Sequence, residues 1–274
     1  MARAAEIVAE WELAPFEPDL IAAFDRFLPD AVRRDPTCAA KIAIAEALNR
    51  LESREAELFL RGVRHVQPEP VWGGREDTAA RLRAVCALGL ARSDPPDALL
   101  ELAALLADSE TDARLGAVRA IACAARPGGA PLLWYKARLG DGEPAVRREC
   151  FAALLALVPE PALPFVGERA RGNDPVEAEA ALVALGGSRL PGALPVIVTA
   201  WEQADGPILR RTALAAAADL NDDASFAFLL DLLETGSAHD AADALAALAR
   251  FREDERRNRR IERVLRRRAD LPAG

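Results

Sequence analysis

Apolar residues along this 274-residue chain recur at separations of three, four and seven, the period of an amphipathic α-helix. Turns rich in Asp, Gly, Asn and Pro interrupt the pattern, as in Asp141-Gly142-Glu143-Pro144, Gly172-Asn173-Asp174-Pro175 and Asp205-Gly206-Pro207. Residues 97–108 (DALLELAALLAD) are the clearest single stretch, with Leu99, Leu102 and Leu106 on one side. Comparable segments cover 131–139, 162–171, 195–203 and 224–234, and prolines at 95, 127, 159, 161 and 191 stand at or just before helix starts. The predicted unit is helix, turn, helix, repeated.

The second helix of each unit carries a signature. A basic residue or Ala is followed three positions on by a small residue (Ile44 in the first copy), six on by Ala, and seven on by Leu (Ile121 and Ala217 in two copies). Copies start at Lys41, Arg81, Arg114, Arg147, Ala178, Arg210 and Ala241, in steps of 40, 33, 33, 31, 32 and 31 residues. The sixth position reads Ala47, Ala87, Ala120, Ala153, Ala184, Ala216 and Ala247. Short side chains at one recurring place let stacked helices approach closely at every level. The expectation is an all-α solenoid of about seven helix pairs wound as a right-handed superhelix. Residues 1–34 form an N-terminal helical cap, 35–250 the array, and 251–274 a basic capping helix and tail.

This pattern resembles HEAT repeats, and its short period is most similar to the HEAT-like subtype of phycobilin lyases. The resemblance implies a ladder between neighbouring repeats, made by a turn Asp and an Arg six residues later. Asp108 with Arg114 and Asp141 with Arg147 have that spacing, and Asp35 with Lys41 is a weaker version. Ala178 and Ala241 lack the cation, and Asp205 precedes Arg210 at another offset, so the ladder is expected to fail toward the C-terminus. The Trp, Gly and Tyr positions of tetratricopeptide repeats and the TPLH turn of ankyrin repeats are absent.

Composition narrows the function. Half the chain is hydrophobic (51%), aromatics are 5%, and the net charge is −8, which argues against a nucleic-acid binder. Cys38, Cys86, Cys123 and Cys150 have no zinc-ligand spacing and are expected to be buried free thiols. Residues 1–16 lack the apolar core of a signal peptide, and no run suffices for a membrane span; a cytoplasmic protein is expected. His65 and His239 lie far apart in repeat order, which disfavours a histidine triad or metal cage.

Three irregularities remain. Residues 67–78 form an insertion with two prolines and two glycines, read as a non-helical loop. Its Trp72 is expected to fold back as a plug, with gripping a partner as the alternative. Trp134, Tyr135 and Trp201 are expected to pack, base stacking being the alternative. Residues 250–268 hold ten Arg against four acidic residues, and a cap with an apolar edge at Phe251, Ile261, Val264 and Leu265 is expected.

The functional expectation is a non-catalytic protein-binding scaffold with no cofactor and no metal. Its partner would be an unidentified protein or acidic peptide. The candidate binding residues are Trp72, Arg75, Arg81, Arg83, Arg114, Arg147, Arg148 and Arg210, with pairing to turn carboxylates as the alternative for the arginines. The resemblance also admits a lyase subunit, or a DNA-binding protein like the HEAT-like alkylpurine DNA glycosylases.

Overall fold

The computed structural model describes residues 1–268, so 269–274, the tail of the expected C-terminal cap, lie outside the described residues. The described chain is all-α apart from one β-hairpin and short 3-10 turns. It opens with α1 (Ala2–Glu10), α2 (Glu17–Phe27), a single turn α3 (Ala31–Arg34) and α4 (Ala39–Arg50). Next come α5 (Ala56–Val63), strands β1 (Pro68–Val71) and β2 (Gly74–Asp77), and α6 (Ala80–Ser93). Five helix pairs follow: α7 (Ala98–Leu105) with α8 (Thr111–Ala124), α9 (Gly129–Leu139) with α10 (Pro144–Leu157), α11 (Pro159–Ala170) with α12 (Pro175–Ser188), α13 (Ala193–Gln203) with α14 (Pro207–Leu220), and α15 (Asp223–Thr235) with α16 (Ala238–Leu248). Helix α17 (Glu255–Leu265) is last.

The chain divides into two compact units, Met1–Val146 and Arg147–Gly274. In the first, α1 and α2 pack on α4, and α4, α6 and α8 adjoin in sequence. In the second, α12, α14 and α16 adjoin in the same way, with α11, α13 and α15 as their first-helix partners.

Local chemistry explains the boundaries. Pro144, Pro175 and Pro207 are the first residues of α10, α12 and α14, where a fixed φ helps and an amide N–H is not needed. Asp174 caps α12 by accepting from the Val176 amide, and Asp222 and Ser225 form a capping box on α15. Four second helices end on a left-handed residue that is not glycine: Asp94, Ala125, Arg189 and Asn221, with φ between 48° and 55°.

The signature residues form the core. Ile44, Ala47 and Leu48 are fully buried, as are Ala117, Ala120 and Ile121, and Ala181, Leu185, Ala213 and Ala217. Packing is closest where even Cβ has no room. A Cβ on Gly116 would lie 2.3 Å from the Ala84 Cα, and one on Gly186 would lie 2.6 Å from the Ala216 carbonyl oxygen. One register differs from expectation. The cation is the fourth residue of α8, α10 and α14, and in α6 that place belongs to Arg83 rather than Arg81. Cys86, Gly89 and Leu90, all buried, then fill the signature in place of Ala84, Ala87 and Leu88. Gly89 is required because a Cβ there would sit 2.2 Å from the Phe59 ring.

The insertion is a β-hairpin rather than an irregular loop, pairing Pro68 with Asp77 through to Val71 with Gly74. Pro68 and Pro70 are two residues apart on one strand. Alternate positions in an antiparallel pair share one bonding state, so both prolines can occupy sites whose amide faces away from the partner. Gly73 at φ 92° makes the tight turn. Trp72 is not a plug: it stands at the tip with 104% relative exposure, because the turn projects it away from the helices.

Cys38, Cys86 and Cys150 are buried, whereas Cys123, near the solvent-side end of α8, is exposed, against the expectation for all four. Helix α17 packs on α15 and buries Ile261 and Val264, with Phe251 buried just before it. The Arg257 guanidinium lies over the Phe226 and Phe251 rings, and Arg268 donates to the carbonyls of Leu233, Glu234 and Gly236 at the end of α15. No helix among the described residues is long and apolar enough to cross a membrane.

Candidate functional site

Most of the candidate arginines sit in a ladder of ion pairs. A cation near the start of a second helix cannot remain buried alone, so it reaches the carboxylates of the turns. Arg83 donates to Asp77 (2.6 Å), to Asp108 of the following turn (3.0 Å) and to the His65 carbonyl. Arg114 forks onto Asp141 at 2.8 and 3.0 Å, and its third nitrogen donates to the carbonyls of Asp108 and Ser109. Arg147 pairs with Asp174 (2.7 Å) and Arg210 with Asp240 (2.6 Å), so each of these cations holds the turn of the next helix pair. Arg210 also lies 4.4 Å above the Trp201 ring and donates to its carbonyl. At the N-terminal end, Lys41 pairs with Asp35 at 2.8 Å, and both side chains are removed from solvent.

The electrostatics follow. Burial pushes the Asp141 carboxyl up, but hydrogen bonds from Arg114, Lys136 and the Glu143 amide outweigh it and hold the group at about 2. Asp174 is lowered chiefly by Arg147, and Asp240 chiefly by Arg210. Burial lowers His65 below the ordinary imidazole range and lifts the Cys38 thiol to about 12.

The remaining candidates are spread over the surface. Arg81 is exposed and pairs with Glu46 (2.6 Å). Arg75 is exposed and donates to the Pro68 carbonyl across the hairpin. Arg148 is exposed at the end of a shallow groove between α10 and α12, floored by Ala152, Ala156, Val183 and Gly187. The structure thus gathers Arg83, Arg114, Arg147 and Arg210 into rungs within their units and leaves Trp72, Arg75 and Arg148 facing solvent.

The hairpin that carries Trp72 is tied down at its base. Glu69 accepts hydrogen bonds from the Thr37 amide (2.7 Å), the Gln67 side chain (2.7 Å) and the Thr78 hydroxyl (2.8 Å). Buried Gln67 donates to the Asp35 carbonyl, and Asp77 accepts from the Gln67 and Ala79 amides as well as from Arg83. Exposed Val71 adjoins Trp72 at the tip.

Sequence reasoning missed three participants. Asp77 lies in the insertion, outside the repeat pattern, although it stands six residues before Arg83, the ladder spacing. Lys136 reaches Asp141 at 2.8 Å from the first helix of its pair, which no second-helix signature could show. The third is a cleft of about 600 Å³ between the turns that precede α12 and α14, lined by Gly172, Asn173, Val176, Ala200, Asp205 and Ile208 among others. Trp201 packs edge-on against Phe228, while Tyr135 is exposed on α9. No protein-family model matches the chain, and a search of curated proteins finds no match to it.

Proposed function

We propose that this chain is a non-catalytic interaction scaffold, an array of HEAT-like helix pairs that holds an aromatic anchor in fixed position for a partner protein. One observation carries the reading: Trp72 is fully exposed on a hairpin whose base is fastened to the helices through Glu69, Gln67 and Asp77. A large apolar ring in water is unfavourable, and tryptophan is enriched at the energetic centres of protein interfaces. A rigid base lowers the entropy lost when such a ring is captured. The ladder from each fourth-position arginine to the next helix pair supports the HEAT-like assignment.

The acidic-peptide partner expected from the arginines has less to meet than the sequence implied. Arg83, Arg114, Arg147 and Arg210 are engaged, so Arg75 beside Trp72 and Arg148 on its groove are the cations that would receive it.

The test is photo-crosslinking in cells of the native source. Benzoylphenylalanine at position 72 is compared with the same probe at Leu139, an exposed position of the same unit. A discrete partner crosslinked from 72 and absent from 139 is the expected result. Equal, diffuse crosslinking from both positions refutes the reading.

A further inference from the structure

We infer that the cleft between the turns preceding α12 and α14 receives an arginine side chain from a partner protein, completing a rung that this chain omits. The inference rests on the scaffold reading and names the partner's chemistry at one place.

Arg83, Arg114, Arg147 and Arg210 are each the fourth residue of a second helix, and each bonds an aspartate of the next helix pair. Helix α12 has Ala178 at its fourth position. Arg114 shows what a complete rung spans. It donates to the carbonyls of Asp108 and Ser109, six and five residues behind it, and forks onto Asp141 ahead. Six and five residues behind Ala178 stand Gly172 and Asn173, and the turn ahead carries Asp205; all three line the cleft. Lys136, the second cation on Asp141, is the eighth residue of α9. The eighth residue of α13 is Ala200, which also lines the cleft. Compared with the Arg114 rung, both cation positions hold alanine, and Ala200 lines an open volume of about 600 Å³ together with Gly172, Asn173 and Asp205.

What remains is the acceptor half of a rung. Asp205 has no ion pair among the described residues, in contrast to Asp141, Asp174 and Asp240. Arg171 and Glu179 also line the cleft and offset each other, so Asp205 supplies the uncompensated charge. Exposed Val176 and Ile208 offer apolar surface to an aliphatic stem. Acceptors spread from one turn to the next suit the planar, five-donor guanidinium better than the compact ammonium of lysine.

The probe is N-acetyl-arginine amide, titrated into the full ¹⁵N-labelled chain, with N-acetyl-citrulline amide as its neutral isostere. The expected result is saturable shifts at the amides of residues 172–173 and 205–209 with the arginine probe. The citrulline probe and the Asp205→Asn variant should bind about tenfold more weakly or worse, as loss of a charge-assisted contact implies. Ala178→Arg should restore the rung internally, raise the melting temperature and abolish the shifts. Absence of saturable shifts, equal binding of citrulline, or undiminished binding by a folded Ala178→Arg protein would overturn the inference. So would shifts at these amides on dilution of the protein alone that Asp205→Asn removes, because a second copy would then be the occupant. If the position-72 probe captures the same partner in equal yield from wild type and Ala178→Arg, the scaffold reading stands and the arginine site falls. If position 72 captures nothing, the scaffold reading falls, and the titration alone judges the cleft.

Discussion

Asp141→Asn isolates the energetic role of one rung. The substitution keeps an acceptor for the Glu143 amide but removes the charge that Arg114 and Lys136 share, and those two cations are only 12% and 11% exposed. Two independent lines give the magnitude. Depression of the carboxyl from 3.8 to about 2 corresponds to roughly 2 kcal/mol. Removing one partner of a buried pair costs about 3–5 kcal/mol, because the surviving charges lose compensation. A loss of roughly 2–4 kcal/mol at pH 7 is therefore expected, read from urea denaturation with an unchanged slope. The pH dependence separates charge from packing. The folded carboxyl titrates below the unfolded one, so its stabilising contribution is complete above about pH 4 and fades as pH falls toward 2. Other depressed carboxylates, such as Asp174 and Asp240, titrate in both proteins and cancel in the comparison. The gap between wild type and variant should be largest near pH 7 and mostly closed near pH 2.5. A gap below about 1 kcal/mol, or one of equal size at both pH values, would refute the reasoning.

Four further outcomes test the packing. Trp72→Ser should leave stability within about 0.5 kcal/mol of wild type, whereas a packed plug would cost about 3–5 kcal/mol; thermal melting decides. Gly186→Ala should destabilise by roughly 1–3 kcal/mol, since the new methyl would meet the Ala216 backbone at 2.6–3.0 Å, and an unchanged melting temperature would show that α12 and α14 are not held that closely. Ala125→Gly should stabilise by up to about 1 kcal/mol in denaturant titration, because Ala125 is held at φ 48° and glycine removes the Cβ conflict. With a disulfide-exchange reagent at pH 8, one thiol, Cys123, should react in the native protein. Cys38, Cys86 and Cys150 should react only after denaturation, and rapid release of more than one equivalent would contradict their burial.

The helices and most turns were legible because period, proline placement and capping residues agreed with one another. The register of α6 was not. Alanine is common enough that Ala84 and Ala87 imitate the signature two residues early, while the position six residues after Arg83 belongs to Gly89, which packs on the Phe59 ring. The Asp77–Arg83 spacing was the better signal, because a buried ion pair fixes geometry more narrowly than a small residue does. The hairpin was obscured by its prolines, which weaken strands in general but lose nothing at alternate positions of a two-stranded ribbon. The exposure of Trp72 depends on which way the ribbon projects, and the cleft beside Asp205 on what two successive helix pairs leave unfilled; neither is written in a linear pattern.

The rungs also have a direction. Each arginine reaches forward to the following turn, so the series has one end with an aspartate no earlier arginine serves and another where a last arginine would reach for nothing. Asp35 is met by Lys41 of its own turn, with both out of solvent, and α16 carries Ala241 where the next arginine would stand. At Asp35 and in α16 the ladder therefore leaves no charge without a partner. A shortened protein ending after α12 would strip Arg210 and Asp240 together, whereas one ending after α14 would leave Arg210 without its carboxylate. Replacing Arg210 by alanine, the residue α16 already carries at that place, would remove the unmatched charge from the second truncation.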